Sequence, residues 1–410
     1  MEAGRGAPSR VLVLGAGAAQ LGLLRAARSG GLYVVAADRD SSAPGLRLAD
    51  RATVVSAEDE EAVERLAREE RVDGLVSPGA DWPVRVAARV AARLGLPHPL
   101  SPEVAERATS KTLQRRCFEE AGVAQPGWRL LHPGFQVGDC SLESGSGLAL
   151  PLVVKAPDRQ GQRGLSLVRK ERELAPAVER ALAASRSGFA LLEELVEGPE
   201  VTVNAWVEGA RFVPLTVTDR ITADPPAFGV ALAHVWPSEA ADEEAVEVAR
   251  AAAAALGVRD GPTYTQLRVG SDGPKVIELA ARLGGGHDAE LCVAALGVDL
   301  NRLALVTALG ETIPAPSPRP SAGGACVRFL VAPPGELARV EGLAEARRLP
   351  GVLAAEVYRQ PPWRFGPLRT GRDRAGFVLT TGDSRSQALA RADAAAERIR
   401  FRTVDAQALV

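Results

Sequence analysis

Lysine is almost missing from this chain. Of its 49 basic residues only Lys111, Lys155, Lys170 and Lys275 are lysines, and the rest are arginine. Such a bias retains lysine where the two cations are not interchangeable, and a compact ammonium acting as a point charge at a phosphate is one such place. Cysteine and histidine are as sparse, four of each. Cys117, Cys140, Cys292 and Cys326 lack the paired spacing of a zinc site or a disulfide framework, and four histidines leave little for a histidine-rich metal site. No apolar run is long enough to span a bilayer. The apolar stretch over 11–24 is broken by Gly15, Gly17, Gln20 and Gly22, unlike a signal peptide. A net charge of −2 with interspersed signs offers no footprint for nucleic acid or an anionic membrane. The expected setting is the cytoplasm.

At 410 residues, 46% hydrophobic and 24% charged, the chain can hold two to four domains with their own cores. Its first third alternates strands at 10–14, 32–37 and 73–77 with helices at 18–29, 58–70 and 82–94. This rhythm predicts a parallel sheet wound on both faces. Gly15-Ala16-Gly17 ahead of Asp38 approaches a dinucleotide fingerprint, yet Gln20 stands at the third glycine position; a tight turn explains the glycines equally well. A helix from Ser110 follows, then strands near 128–131, 152–155, 165–169 and 189–193, a helix over 171–184, and a Gly/Ser-rich loop over 138–147. Strands at 201–207, 211–218 and 230–235 precede a helix at 239–256. Ser271-Asp272-Gly273 marks a hairpin between 264–269 and 275–279, with helices over 288–296 and 300–309 behind it. The Pro-rich stretch 312–321 reads as a linker, and 323–410 as a compact strand-and-helix module closing on a helix near 384–401.

Lys111 opens a helix, and Lys155 ends the apolar run Pro151-Leu152-Val153-Val154 just before Gly161-Gln162-Arg163-Gly164. The arrangement fits polyphosphate, although a solvated surface is the ordinary place for a lysine. In Lys275-Val276-Ile277-Glu278-Leu279-Ala280-Ala281-Arg282-Leu283-Gly284-Gly285-Gly286, a strand delivers Glu278, Arg282 follows, and glycines let backbone approach a ligand. A carboxylate beside phosphate suits magnesium, and an arginine there can neutralise charge on a transferring phosphoryl group. The run Leu191-Leu192-Glu193-Glu194-Leu195-Val196-Glu197-Gly198-Pro199-Glu200 ends a strand in a cluster of acids.

Taken in order along the chain, these residues resemble the ATP-grasp superfamily, most of all the L-amino acid ligases among its carboxylate–amine ligases. The resemblance implies an α/β ATP-grasp fold: a doubly wound pre-grasp domain at 1–109, an ATP-grasp domain at 110–320 with an α+β lid over about 124–198 and a central α+β body, and an added C-terminal α+β domain at 321–410. It implies ATP and Mg2+ (or Mn2+) as cofactors, small-molecule carboxylate and amine substrates, and pairing as a homodimer. Lys111 and Lys155 match the phosphate lysines, and Gly161, Arg163 and Gly164 fall in the glycine-rich lid loop. Glu193 and Val196 correspond to the hinge that reads adenine, Glu200 to the ribose acid, Glu278 to a magnesium ligand, and Arg282 to the arginine steadying an acyl-phosphate. His234, in Ala233-His234-Val235-Trp236-Pro237, is similar to a pocket-lining His-Pro stretch.

Three positions depart from the pattern. Gln266 stands where most relatives carry a metal-binding glutamate, Ala280 where many use asparagine, and Ser110 where aspartate often precedes the first lysine. Arg220, beside Asp219, is expected to face phosphate, and His287, with Asp288 and Glu290, the amine substrate; a strand-end ion pair and a helix start account for the same residues. The expected activity is ATP-dependent amide formation through an acyl-phosphate. The alternatives are a carboxylase or carbamoyl-phosphate type of ATP-grasp protein, one that binds nucleotide without turnover, and an NAD(P)-dependent oxidoreductase.

Overall fold

The computed structural model describes residues 7–132, 148–241, 243–312 and 314–404. The loop expected over 138–147 lies outside the described residues. The first strands are β1 (Arg10–Leu14), β2 (Tyr33–Asp38), β3 (Arg51–Val54) and β4 (Gly74–Val76), in a parallel sheet of order β3-β2-β1-β4. Helix α1 (Leu21–Ser29) joins β1 to β2, α2 (Glu60–Glu69) joins β3 to β4, and α3 (Asp81–Leu94) follows β4. Alternate residues of β1 explain the double winding. Val11 and Val13 enter one core with Leu23 and Leu24 of α1, while Leu12 and Leu14 enter another with Val63 and Leu66 of α2 and Val86 and Val90 of α3. Edge strand β3 went unread because it is short and mostly exposed, and so lacks an apolar run.

Two helices follow, α4 (Pro102–Thr109) and α5 (Lys111–Glu120). Sequence reasoning saw only the second, although Ser101 and Pro102 supply a start signal for the first: the Ser101 hydroxyl accepts from the Val104 N–H, and proline sits at the first helical position. Strands β5 (Trp128–Leu131), β6 (Leu152–Lys155) and β7 (Ser166–Val168), helix α6 (Leu174–Ala184) and strand β8 (Ala190–Glu194) then build a four-stranded antiparallel sheet of order β5-β8-β6-β7 with its own apolar core.

The largest sheet has eight strands, in order β13-β12-β9-β10-β11-β14-β18-β16. The first five strands in that order are β9 (Glu200–Glu208), β10 (Arg211–Thr222), β11 (Ala231–Trp236), β12 (Gly261–Gly270) and β13 (Gly273–Ala280), covered by α7 (Glu243–Leu256), α8 (Asp288–Leu296) and α9 (Leu300–Ala308). The β12–β13 turn forms where expected, over Ser271-Asp272 between paired Gly270 and Gly273. The C-terminal strands are β14 (Gly324–Leu330), β15 (Gly335–Glu341), β16 (Val352–Val357), β17 (Arg364–Phe365), β18 (Gly376–Gly382) and β19 (Arg400–Val404), with helices α10 (Leu343–Ala346) and α11 (Arg385–Arg398). β14 pairs directly with β11, so the sheet runs through the boundary drawn near residue 320. The last helix ends at Arg398 rather than 401. Beyond it Phe401 alternates with arginines at two-residue spacing and packs as strand β19 against β15.

No single helix among the described residues is long and apolar enough to cross a membrane. The antiparallel four-stranded sheet is tied to the N-terminal one by Arg186, whose guanidinium lies 4.0 Å over the Trp82 ring and pairs with Glu58. A cation–π contact and a partly exposed ion pair together are worth about 1–2 kcal/mol. Arg186→Ala is therefore expected to raise hydrogen exchange in β6 and β8 about five- to thirtyfold while leaving β9 and β12 unchanged, as read by mass spectrometry.

Candidate functional site

Between the antiparallel sheet and the large sheet lies a cleft of about 1030 Å³. Lys111, Lys155, Gly161, Arg163, Glu193, Val196, Glu200, Gln266, Glu278 and Arg282 all line it. Residues from Lys111 to Arg282 therefore meet because β6, β8, β12, β13 and the start of α5 end at one place.

Lys111 is the first residue of α5, whose N-terminus is capped by the Ser110 hydroxyl accepting from the Leu113 N–H. Serine thus fills the capping role that aspartate would have. Lys111 Nζ donates to Glu278 Oε1 at 2.8 Å and to the Arg159 carbonyl at 2.9 Å. Burial works against its charge, but Glu278 and Asp81 outweigh that and raise its pKa; burial works against Glu278 too, and Lys111 holds that carboxyl below its ordinary range. One turn further along α5, on the same face, Arg115 is fully buried. It donates to Glu193 Oε1 at 2.8 Å and to the carbonyls of Val276 and Ile277 at 3.1 and 2.6 Å. The register between β12 and β13 slips there, so that Glu278 stands opposite Gln266 while Val276 stands opposite Leu267. Arg115 holds the bulge that aims Glu278 into the cleft.

Lys155 Nζ reaches the other oxygen of Glu193 at 2.6 Å. One buried carboxylate is therefore shared by two cations. Burial pushes Glu193 up, yet Arg115 and Lys155 together hold it below the usual range. Lys155 receives less in return: burial, with repulsion from Arg115 and Lys111, lowers its pKa to about 8. A cation destabilised in this way is poised for a further anion.

Glu200 pairs with Arg220 and, at 3.6 Å, with Arg268. Arg268 also donates to the Val196 carbonyl at 3.1 Å, while the Val196 N–H meets no acceptor among the described residues. Gln266 donates to the Tyr264 hydroxyl at 3.3 Å and stands opposite Glu278 across the strand pair. Arg282 grips Asp81 Oδ1 with Nε and one terminal nitrogen at 2.7 and 2.6 Å. The Asp81 N–H in turn donates to Gln160 Oε1 at 2.6 Å. In the glycine loop, Gly161 (φ +67°), Gln162 (φ +62°) and Gly164 (φ +74°) are left-handed. A side chain on Gly161 would meet open space, whereas one on Gly164 would strike Ala184 Cβ at 2.7 Å, so Gly164 serves packing against α6.

The remaining candidates stand elsewhere. Arg220 lies behind Glu200, and its neighbour Asp219 caps the Ser238–Ala240 turn and pairs with Arg385. His234 is buried, its Nδ1 2.9 Å from Asp288 Oδ1. His287 is stacked on Phe377 at 3.6 Å and bonded to the Tyr358 hydroxyl at 2.7 Å, so it packs against C-terminal strands rather than lining the cleft. Sequence reasoning missed Arg115, Asp81 and Tyr264. The four-residue step from Lys111 to Arg115 was a usable signal for the first, and the helix-start position was one for Asp81.

No group of three or more His, Cys, Asp or Glu residues able to hold a metal ion occurs among the described residues. Glu278 and the Gln266 oxygen make a two-donor oxygen set, which fits Mg2+ only when phosphate oxygens and water complete the shell.

Two outcomes follow from the shared carboxylate. Glu193→Gln leaves two buried cations short of their anion and should cost about 3–5 kcal/mol of stability in urea denaturation. The unfolded chain keeps Lys155 protonated up to about pH 10.4, whereas the folded one releases that proton near pH 8. Between these values the unfolded state binds more protons, so stability rises with pH, by about 3 kcal/mol over the window. Lys155→Met should lack that rise when the two proteins are compared at pH 8 and pH 10.

A family profile described as "ATP-grasp domain" matches residues 148–290, and one described as "L-amino acid ligase C-terminal domain 2" matches residues 328–404. An uncharacterised protein, y4rH of Sinorhizobium fredii, is 30% identical over 333 residues, covering 79% of this chain and 67% of that protein. Among solved structures, an L-amino acid ligase from Bacillus licheniformis superimposes with a TM-score of 0.81 at 21% identity, covering 98% of this chain and 100% of that one. The biotin carboxylase domain dimer of the Hydrogenobacter thermophilus 2-oxoglutarate carboxylase, solved with MgADP, ADP and bicarbonate, gives 0.78 at 19%, covering 97% and 91%. The chain belongs to the ATP-grasp superfamily and carries a C-terminal domain of the L-amino acid ligase type.

Proposed function

We propose that the protein joins the carboxylate of an amino acid to an amine, with ATP consumed to ADP and phosphate. The observation that carries this reading is the meeting of Lys111, Lys155, Glu278 and Arg282 at one cleft in a chain with an amino acid ligase type of C-terminal domain. Lys155, with the loop around Gly161, holds the ATP phosphates, and the Val196 N–H is free for the adenine edge. Lys111 is engaged by Glu278 until phosphate arrives. Glu278 and Gln266 are the residues that would hold magnesium, which neutralises phosphate charge when bound.

A carboxylate oxygen of the acid substrate attacks the γ-phosphorus, and the bond from that phosphorus to the bridging oxygen breaks, leaving ADP and an acyl-phosphate. The amine nitrogen then attacks the acyl carbon, the carbon–oxygen bond to phosphate breaks, and the amine's proton leaves to solvent. Arg282, held in place by Asp81, faces the charge that builds on the oxygens in both steps. Closing the cleft keeps water from the acyl-phosphate.

A charge-assisted hydrogen bond to phosphate is worth about 1.5–3 kcal/mol, so Lys155→Ala should weaken ATP affinity or turnover about tenfold or more. Phosphate release with ATP and magnesium across pairs of amino acids tests the activity itself. Dependence on two amino acids sustains the reading. Bicarbonate dependence would replace it with a carboxylase type, and nucleotide binding without release would replace it with a non-catalytic one.

A further inference from the structure

The segment between β6 and the glycine loop binds to two other parts of the molecule. The Lys111 N–H donates to the Pro157 carbonyl at 3.2 Å and Lys111 Nζ to the Arg159 carbonyl at 2.9 Å, which seats this stretch on the start of α5. The next residue, Gln160, lines the cleft, and its Oε1 accepts the Asp81 N–H at 2.6 Å. Two positions on, Gln162 Nε2 donates to the Gly229 carbonyl at 3.3 Å. Gly161 lies between these two ties, where a side chain would meet open space.

Asp81 is the first residue of α3, and that helix begins without a side-chain cap of its own. The first N–H groups of a helix have no partner within it, and Ala80, at the capping position, has no side-chain oxygen to give. Gln160 supplies the missing acceptor from the antiparallel sheet's side of the cleft. Arg186, from the same four-stranded unit, lies over Trp82, so the unit docks on two successive residues of the first turn of α3. Arg282 depends on that turn. Its Nε and one terminal nitrogen grip Asp81 Oδ1, and the other terminal nitrogen donates to the Leu283 carbonyl at 2.8 Å. Asp81 is thus the only carboxylate paired with Arg282 among the described residues, and it decides where the guanidinium stands.

We propose that Gln160 is a positioning residue that couples occupancy of the glycine loop to the orientation of Arg282, acting through the Asp81 N–H. With phosphate at the loop, the four-stranded unit stays seated, Gln160 holds the first turn of α3, and Asp81 aims Arg282 at the developing charge. With the unit raised, that N–H loses its acceptor, the turn loosens, and Arg282 loses its aim. Phosphoryl transfer is thereby confined to the closed cleft, from which water is kept out. The chemical consequence rests on the ligase reading; the link from Gln160 to Asp81 does not.

In Gln160→Ala, kcat for phosphate release with an amino acid pair should fall about ten- to a hundredfold, while the KM for ATP changes by less than about twofold. Gln160→Glu keeps an acceptor oxygen and adds a negative charge that a helix N-terminus favours, so it should restore most of the loss. In an Asp81→Ala background Gln160→Ala should cost nothing further, because both substitutions cut the same link. A rise in the KM for ATP with kcat intact would make Gln160 a phosphate-binding residue and overturn the proposal, as would independent, additive effects of the two substitutions. Hydrogen exchange read by mass spectrometry tests the link without turnover. A non-hydrolysable ATP analogue with magnesium should slow exchange over both 152–166 and 79–86 in the parent protein. In Gln160→Ala the slowing over 79–86 should be lost and that over 152–166 kept. This result sustains the link even if no amino acid pair releases phosphate, an outcome that would sink the ligase reading alone. Slowing over 79–86 that survives Gln160→Ala, or that is absent from the parent, overturns the link.

Discussion

A single buried carboxylate, Glu193, holds the cleft together. Arg115 from α5 takes one oxygen, Lys155 from β6 takes the other, and Glu193 itself belongs to β8. Three segments that would otherwise only abut are thereby fixed against one another. Arg115 extends the constraint by binding the carbonyls at the β13 bulge, whose next residue is Glu278. The position of the carboxylate that would meet metal is thus set, through one arginine, by a glutamate on the opposite sheet. Burying three charges is costly, and the arrangement is stable because each has an opposite charge or a carbonyl within hydrogen-bond distance.

Several charges of the cleft are paired with one another. Lys111 and Glu278 neutralise each other, as do Arg282 and Asp81, and Arg220 with Glu200. A polyanion entering with a divalent cation would exchange these partners rather than meet bare charges. Gln266 fits this balance: a second acid opposite Glu278 would add a negative charge where one carboxyl already draws on Lys111, Lys155 and Arg282.

Much of this was legible in the chain. The scarcity of lysine drew attention to Lys111 and Lys155, and the strand-to-glycine run carried Glu278 and Arg282; all four line one cleft. Strand and helix periods gave the alternating N-terminal sheet because its strands bury both faces. Other features depend on contacts between distant segments and left little local trace. Arg115 reads as one more solvated helix residue until β8 and β13 close over it. His287 looks like a helix-start residue facing a ligand, but Tyr358 and Phe377 claim it from 71 and 90 positions away. Exposed edge strand β3 has too few apolar residues to register as a period.

The pairing of β14 with β11 governs what this architecture can tolerate. Without the strands that follow residue 320, β11 would become a bare margin, its unpaired amides flanked by Ala233 and Val235, both now buried. Such a margin invites pairing with other chains. The closing segment is consequently no detachable accessory. Any exchange between relatives would have to preserve the alignment of His234 with Val327, and this ties the evolution of the last quarter of the chain to that of its middle.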